Sequence, residues 1–524
     1  MMKYVSVAEM QAIERQANAS GLSYERMMEN AGRGLAEAVL DQYAYLAEDG
    51  ALGLVGSGNN GGDTLVALAY LAREGWKAGA AILRPRPAGD PLVTRLLAAG
   101  GQVALLDEHF DQDTLGRLLE EHAVLLDGVL GTGARLPLKA EVAQALAFTL
   151  RKLAGMAEPP VVVAVDCPSG VDCDSGEAAP ECLPADLTVT MAAVKHGLLK
   201  FPAYALVGEL QVVGIGLPDD GLGLPAWDDV HCFLPDLDWV HQALPARPLD
   251  AHKGTFGTAL IAAGSANYTG AAWLAGQAAY RIGAGLVTLA VPARLHAALA
   301  GQFPEATWVL LPEQAGFIAA QAGAVIQEHL ERATALLIGP GFGLEDTTAE
   351  FLSVLFGSGA TGLPPLVVDA DALKLLRRLP DWARRLPSPA VLTPHPGEMS
   401  VLTGLPKESI QADRLEVARR YSREWGHVVV LKGAFTVIAA PDGEAAIIPV
   451  ATPALARAGT GDVLAGLIVG LRAQGMEAFT AAVAGAWIHA YAGLQAVETV
   501  GNPASVLAGD VLQAVIQVIN DINN

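Results

Sequence analysis

Short apolar runs that stop at a glycine or a carboxylate recur along the whole chain, with helical patterns between them. In the first half the candidate strands are 52–55, 123–126 and 161–165, and helical spacing appears at 64–74 and 142–153. In the second half the candidate strands are 258–263, 335–338, 366–368, 390–392 and 428–431. Runs this short and this apolar suit strands buried on both faces of a parallel sheet. The expected class is α/β, with an N-terminal Rossmann-like α/β sandwich and a second α/β domain after it. At 524 residues the chain is too long for one core.

The texture changes between the halves. Gly, Pro and Asp cluster at Leu217-Pro218-Asp219-Asp220-Gly221 and again at Leu244-Pro245-Ala246-Arg247-Pro248. The expected organisation is therefore a domain over 1–216, a linker or crossing segment over 217–249, and a domain over 250–524. Trp227 and Trp239 predict that the segment packs on a domain.

Charge and apolar content exclude several classes. A formal charge of −22 disfavours nucleic acid and anionic membrane as partners. No run reaches the ~18–20 apolar residues of a membrane span. Residues 1–20 carry Glu9, Glu14 and Arg15 where a signal peptide needs an apolar stretch, so a cytoplasmic protein is expected. Cys167, Cys173, Cys182 and Cys232 fit no common zinc spacing and are expected to be free thiols.

Four places in the first half carry chemistry. Val55-Gly56-Ser57-Gly58-Asn59-Asn60-Gly61-Gly62-Asp63 follows a strand and leads into a helix, so its glycines admit close approach and the helix start attracts phosphate. Asp127 ends one strand and Asp166 another, with Gly131-Thr132-Gly133-Ala134-Arg135-Leu136-Pro137 and Cys167-Pro168-Ser169-Gly170 following. Asn60, Asp127 and Ser169 supply oxygens at three strand ends, a set suited to a monovalent cation. Lys195, in Val194-Lys195-His196-Gly197, is positioned to complete an acid–base pair with Asp166.

In the second half, Ala458-Gly459-Thr460-Gly461-Asp462 opens an apolar helix. Free N–H groups at a helix start attract phosphate oxygens, and a carboxylate beside them suits proton removal from a hydroxyl. The pattern predicts phosphoryl transfer with Asp462 as base.

Residues 1 to about 216 resemble the epimerase domain of the NAD(P)H-hydrate repair enzymes. The match lies in Asn59-Asn60-Gly61-Gly62-Asp63, Leu126-Asp127-Gly128-Val129-Leu130-Gly131-Thr132-Gly133, Asp166-Cys167-Pro168-Ser169-Gly170 and Lys195-His196-Gly197. The resemblance implies that 59–63, 131–137 and Asp166 bind the hydrated nucleotide and that Asn60, Asp127 and Ser169 surround potassium. Asp166 and Lys195 are the candidates for the proton transfers. Over 250–515 the order of pieces resembles the family's ribokinase-like dehydratase domain. Those pieces include Gly264-Ser265-Ala266-Asn267-Tyr268, Gly339-Pro340-Gly341-Phe342-Gly343, Asp369-Ala370-Asp371 and Thr393-Pro394-His395-Pro396-Gly397-Glu398. The resemblance implies that Ala271, Gly341, His395 and Asp462 bind the hydrated nicotinamide. It implies a nucleotide on Lys432-Gly433-Ala434-Phe435-Thr436 and on Thr452-Pro453-Ala454-Leu455-Ala456-Arg457-Ala458-Gly459-Thr460-Gly461. Where the family often reads Asn-Pro-x-Met-Ala, this chain has Thr452-Pro453-Ala454-Leu455-Ala456; Leu for Met keeps volume and apolarity.

The activity so implied is bifunctional. The R and S forms of hydrated NADH and NADPH (NADHX and NADPHX) are interconverted, and the S form is dehydrated with ADP, accompanied by magnesium, to give AMP and phosphate. The expected partners are NADHX, NADPHX, ADP and further copies of this chain in a homo-oligomer. The competing reading is a ribokinase-like vitamin kinase for hydroxymethylpyrimidine or thiazole, with a non-catalytic N-terminal binding domain.

Overall fold

The computed structural model describes residues 1–106, 110–218, 223–357 and 362–523. Asp219, Asp220 and Gly221 of the expected linker lie outside the described residues. The chain divides into two units, one of Met2–Val230 and the other chiefly His231–Asn524.

In the first unit, seven strands form one parallel sheet. In chain order they are Ala51–Val55, Ala78–Ile82, Gln102–Leu105, Val124–Gly128, Val161–Val165, Leu187–Met191 and Glu209–Val213. Their spatial order is third, second, first, fourth, fifth, sixth, seventh. This is doubly wound topology, and its winding reverses between the first and fourth strands, where open sheets leave a crevice. Strand periodicity splits the core into two layers. Ala51 and Val55 join one apolar cluster with Leu65 and Leu68, while Leu52 and Leu54 join the other with Leu115 and Leu146. A shorter parallel pair, Met2–Val5 with Val194–Lys195, carries Lys195.

The helix after the first strand begins at Asn59, so Asn59 to Asp63 are its first turn, not a loop ahead of it as expected. The glycines explain the difference. A Cβ on Gly61 would stand 2.1 Å from Gly56 O, and one on Gly128 1.8 Å from Thr64 Oγ1. Glycine here lets the helix seat on its own strand ends, and Thr64 Oγ1 donates to Asn60 O at 2.8 Å to hold that turn.

The second unit repeats the winding. Thr258–Ala262, Leu286–Pro292, Thr307–Leu311, Ala335–Ile338, Leu366–Val368, Val391–Leu392 and Val428–Leu431 again stand third, second, first, fourth, fifth, sixth, seventh, all parallel. Val437–Ala439 and Ala445–Ile447 extend the sheet antiparallel, and Cys232–Leu234 adds parallel to the last. Four of its longer helices, Thr269–Arg281, Thr460–Ala473, Ala478–Val500 and Ala508–Asn523, contribute to one face. Their alanines and glycines allow close approach: a Cβ on Gly466 would lie 2.3 Å from Ala275 O.

The segment over 217–249 is shared out between the units. Leu224 and Val230 are buried in the first unit's core, with Trp227 against it. The strand Cys232–Leu234 and Val240 belong to the second unit's core, with Trp239 against it. The four cysteines are free and buried, as expected.

Candidate active sites at the strand ends

In the first unit a cavity of about 540 Å³ opens at the reversal of winding, within the ~300–1,000 Å³ of small-molecule sites. Asn59, Asn60, Asp63, Gly131, Thr132, Gly133, Ala134 and Asp166 line it. Gly61, Gly62, Arg135, Leu136 and Pro137, expected with them, are not on the wall; a Cβ on Gly62 would meet Met28 Sδ at 2.6 Å.

Asp166 reaches the cavity through an unusual backbone. Its φ is 65°, and Cys167 N donates to Val165 O at 2.8 Å, closing a tight γ-turn over it. The next strand end repeats the device at Ala192, φ 62°, with Ala193 N donating to Met191 O at 2.7 Å. Left-handed backbone at non-glycine residues is held only where surroundings enforce it, and it clusters at functional sites. One enforcing contact is Lys195, 1 % exposed, whose Nζ donates to Asp166 Oδ1, to Thr190 Oγ1 at 3.0 Å and to Met191 O at 2.8 Å. All three donors of this ammonium are used, as a buried charge requires. Asp166 Oδ1 also accepts from Met191 N at 3.0 Å.

Two more carboxyls share the wall. Burial, then the charges of Asp166 and Glu14, push Asp63 well above the ordinary carboxylate range. Burial also raises Glu14, with Lys195 opposing it. Sequence reasoning did not reach Glu14 as a site residue: it is one polar position on the helix Val7–Ala19, with no local signal to set it apart. Arg84, just past the second strand, is a second wall residue it missed.

Behind the wall Asp127 and Ser169 meet, and Asn60 on the wall joins them through Leu130, whose carbonyl it shares with Ser169. Asn60 Nδ2 donates to Leu130 O at 2.9 Å and Val165 O at 2.7 Å. Ser169 N donates to Asp127 Oδ2 at 2.8 Å, and Ser169 Oγ accepts from Leu130 N at 2.9 Å. Asp127 is wholly buried, and its Oδ1 has no partner. A buried carboxylate oxygen left unpaired costs free energy unless a proton or cation meets it. Among the described residues no three His, Cys, Asp or Glu side chains gather as a metal cluster. One carboxylate among neutral oxygens fits a weakly charged, oxygen-seeking ion.

In the second unit Asp462 lies in the first turn of Thr460–Ala473, whose N-cap Gly459 is left-handed at φ 93°. Burial, then Asp369, raise the Asp462 pKa to about 7, with Lys432 opposing. Thr460 does not offer its hydroxyl to a ligand, because Oγ1 donates to Leu455 O at 2.9 Å and Arg457 O at 2.8 Å. It ties the turn down and leaves the helix-start N–H groups to attract an anion. Thr452 Oγ1 accepts from Ala454 N at 3.3 Å, so threonine caps the turn at the family's asparagine position. Leu455 lies 2.8 Å from where a Gly493 Cβ would stand, filling the methionine position.

Beside this turn sits a charged cluster. Lys432 Nζ pairs with Asp369 Oδ1 at 2.7 Å and approaches Glu398 Oε2 at 3.8 Å. Burial opposes the Lys432 charge, yet Asp369 and Glu398 outweigh it and hold its pKa above the usual value. Thr393 Oγ1 donates to Asp369 Oδ1 at 2.6 Å. His395 caps the helix Pro396–Thr403, its Nδ1 accepting from Gly397 N at 2.9 Å. That bond leaves Nε2 to carry the proton. Burial, then Lys432, lower the His395 pKa to about 4. Lys432 heads the loop of Gly433 to Thr436, which Arg414 braces by donating to Ala434 O within it and to Leu431 O ahead of it at 2.6 Å. Ala271 and Gly341 form a contact of their own: a Cβ on Gly341, φ 67°, would be 2.9 Å from Ala271 Cβ.

Two family profiles match the chain. One described as NAD(P)H-hydrate dehydratase covers 259–517, and one described as YjeF-related protein N-terminus covers 24–197. A bifunctional NAD(P)H-hydrate repair enzyme of Moorella thermoacetica is 37 % identical over 99 % of this chain and 97 % of its own. Its counterpart in Salinibacter ruber is 36 % identical over 98 % of this chain and 95 % of its own. Among solved structures, an ADP/ATP-dependent NAD(P)H-hydrate dehydratase of Bacillus subtilis is 31 % identical, with a TM-score of 0.48, over 55 % of this chain and 98 % of its own.

Proposed function

This chain belongs to the family of bifunctional NAD(P)H-hydrate repair enzymes, and on that premise we propose that Met2–Val230 epimerises hydrated NAD(P)H while the second unit dehydrates it. Relatives that match nearly end to end favour this reading over a vitamin kinase, which leaves the first unit without a role.

The observation that carries the dehydratase mechanism is Asp462, a half-buried carboxylate whose pKa is raised to about 7 in the first turn of a helix. A base near neutral pH is suited to take a proton from a hydroxyl. In the hydrated ring, hydroxide on carbon 6 is a poor leaving group. Asp462 removes the hydroxyl proton, and the oxygen attacks the terminal phosphoryl of ADP. The bond to AMP breaks and a phosphate ester forms on carbon 6. The ring nitrogen then expels phosphate, and loss of a proton from the neighbouring carbon restores NAD(P)H. The helix-start N–H groups and Lys432 stabilise the charge that develops on phosphorus oxygens. Magnesium, brought in with the nucleotide, would supply positive charge against its phosphates. Neutral His395, its Nε2 3.3 Å from Glu398 Oε1, belongs to the charged cluster beside the turn, and with Ala271 and Gly341 we assign it to the nicotinamide side of the substrate.

In the first unit the ring-nitrogen electron pair forms a carbon–nitrogen double bond as the carbon 6–oxygen bond breaks; Asp166, paired with Lys195, passes a proton to the departing hydroxide and takes one back from the water that adds to the other face. Asn59, Asp63 and Gly131 to Ala134 hold the nucleotide. Potassium on Asn60, Asp127 and Ser169 would fix the wall between the strand ends. We place this work in the cytoplasm, where NADH and NADPH turn over.

The test is recovery of NADH near-ultraviolet absorbance from mixed NADHX epimers with magnesium and ADP or ATP. Complete recovery, faster than spontaneous epimerisation, is expected with ADP. A stall at one epimer overturns the epimerase assignment, and no recovery with either nucleotide overturns the dehydratase.

A further inference from the structure

Two arginines follow the second strand of the first unit, and they are used differently. Ile82 pairs with Val55 in the sheet, and Leu83 N donates to Val55 O at 3.0 Å, so Leu83-Arg84-Pro85-Arg86 runs beside the turn that starts the helix at Asn59. Arg86 is consumed by the protein. Its Nε pairs with Asp90 Oδ2 at 2.7 Å, and its Nη1 donates to Gly56 O at 2.8 Å. Asp90 is itself 6 % exposed and accepts from Leu92 N, so its charge is spent.

Arg84 has no such ties. Among the described residues no carboxylate pairs with it, and its Nε is buried without an acceptor. It lines the cavity, and it is the one Lys or Arg on that wall among the described residues; Glu14, Asp63 and Asp166 are the acids there. Its Nε is closed off, so what Arg84 brings to the cavity wall is the charge of the rest of the guanidinium, unmatched by any carboxylate pair among the described residues, and a bound anion would balance it. The helix Asn59–Arg73 starts close by, and its N-cap Gly58 gives no side-chain bond, so the helix start is open to a pyrophosphate. The guanidinium therefore answers a further anionic group.

Topology identifies that group. In doubly wound sheets the residue past the second strand meets the adenosine ribose. A carboxylate there accepts from the 2′-hydroxyl, and an arginine takes a 2′-phosphate. Here the nearby acid is neutralised by Arg86 and the free side chain is Arg84. A planar fork of donors matches a phosphate monoester better than a hydroxyl.

We propose that Arg84 holds the 2′-phosphate of the hydrated nucleotide, so that the epimerase unit favours NADPHX over NADHX. This rests on the epimerase reading. The contact is remote from the reacting carbon, so it shows in KM and leaves kcat alone.

The experiment compares initial epimerisation rates for purified NADHX and NADPHX epimers in the full chain, Arg84→Gln and Arg84→Lys. The expected result is that Arg84→Gln raises KM for NADPHX about tenfold or more, leaves KM for NADHX within about twofold, and holds kcat for both. Arg84→Lys keeps charge without the fork and falls between. Unchanged dehydratase activity and melting temperature show that the variants fold. An equal rise in both KM values overturns the proposal by placing Arg84 on the shared pyrophosphate. No change in either overturns it by leaving Arg84 in solvent. A wild-type chain that interconverts neither pair overturns the epimerase reading itself, and this inference with it.

Discussion

The two units wind their sheets in the same order and then build different sites on them. In the first, the anion-attracting helix Asn59–Arg73 follows the first strand directly. In the second, the corresponding helix start, at Thr460, comes after the whole sheet. Each also has an Asp–Lys pair at its strand ends. In the first the pair itself meets the cavity, with Asp166 on the wall and Lys195 sealed behind it. In the second the pair Asp369–Lys432 stands beside a third carboxyl, Asp462, and tunes it. Winding order thus fixes that strand ends meet in a crevice. It does not fix which helix serves the crevice or which acid works there.

The sharpest way to break this contrast is to remove one acid at a time. Asp462→Asn is expected to lower dehydratase kcat by roughly 10²–10⁴-fold while epimerisation, followed by chromatography of the two epimers, stays at the wild-type rate. Asp166→Asn should do the converse, slowing epimerisation about 10²-fold or more with dehydration of the purified S epimer unchanged. If either variant slows both reactions, the two acids do not serve separate chemistries.

The pH profile sharpens the same point. Asp462 acts as base only when unprotonated, so dehydratase kcat should rise with pH through about 7. Bound nucleotide phosphates are like charges and move the midpoint upward. His395, near 4, stays neutral over that range and adds no limb. A profile flat through neutral pH would remove Asp462 from the role of base.

The smallest expected effect concerns the cation. Exchanging potassium for a bulky organic cation should slow epimerisation about tenfold or less, as loss of a positioning group does. Asp127→Asn should abolish that ion dependence and leave dehydration untouched. Undiminished potassium dependence in the variant would separate Asp127 from the ion.

Much of this was legible in the sequence because parallel strands are short and apolar and stop abruptly. Asp127, Asp166 and Asp369 stand where those stops occur, and Asp462 stands in the glycine turn that opens an apolar helix, so their prominence is local. Partnership is not local. Asp369 and Lys432 meet from 63 residues apart, and nothing near either announces the other. Glu14 and Arg84 were missed for the same reason: each is an ordinary polar residue in its own segment and becomes a wall residue only when strands and helices assemble. The glycines misled in a different way. Their pattern at 56–62 predicts close approach to a ligand, but Gly56, Gly61 and Gly62 are pressed against protein atoms, and Gly58 alone has open space around it. A sequence shows that a Cβ is excluded, not what excludes it.

The helix that carries Asp462 is seated by absent side chains. A Cβ on Gly470, as on Gly466 one turn earlier, would collide with the helix Thr269–Arg281, at 2.4 Å from Ile282 Cγ2 and 2.9 Å from Ala279 O. Main chain therefore lies close to main chain along this seam, with only short groups such as the Ile282 methyl between the two rods. Asp462 is thus mounted like a tool on a fixed rest, its reach set by covalent geometry more than by how neighbouring side chains settle.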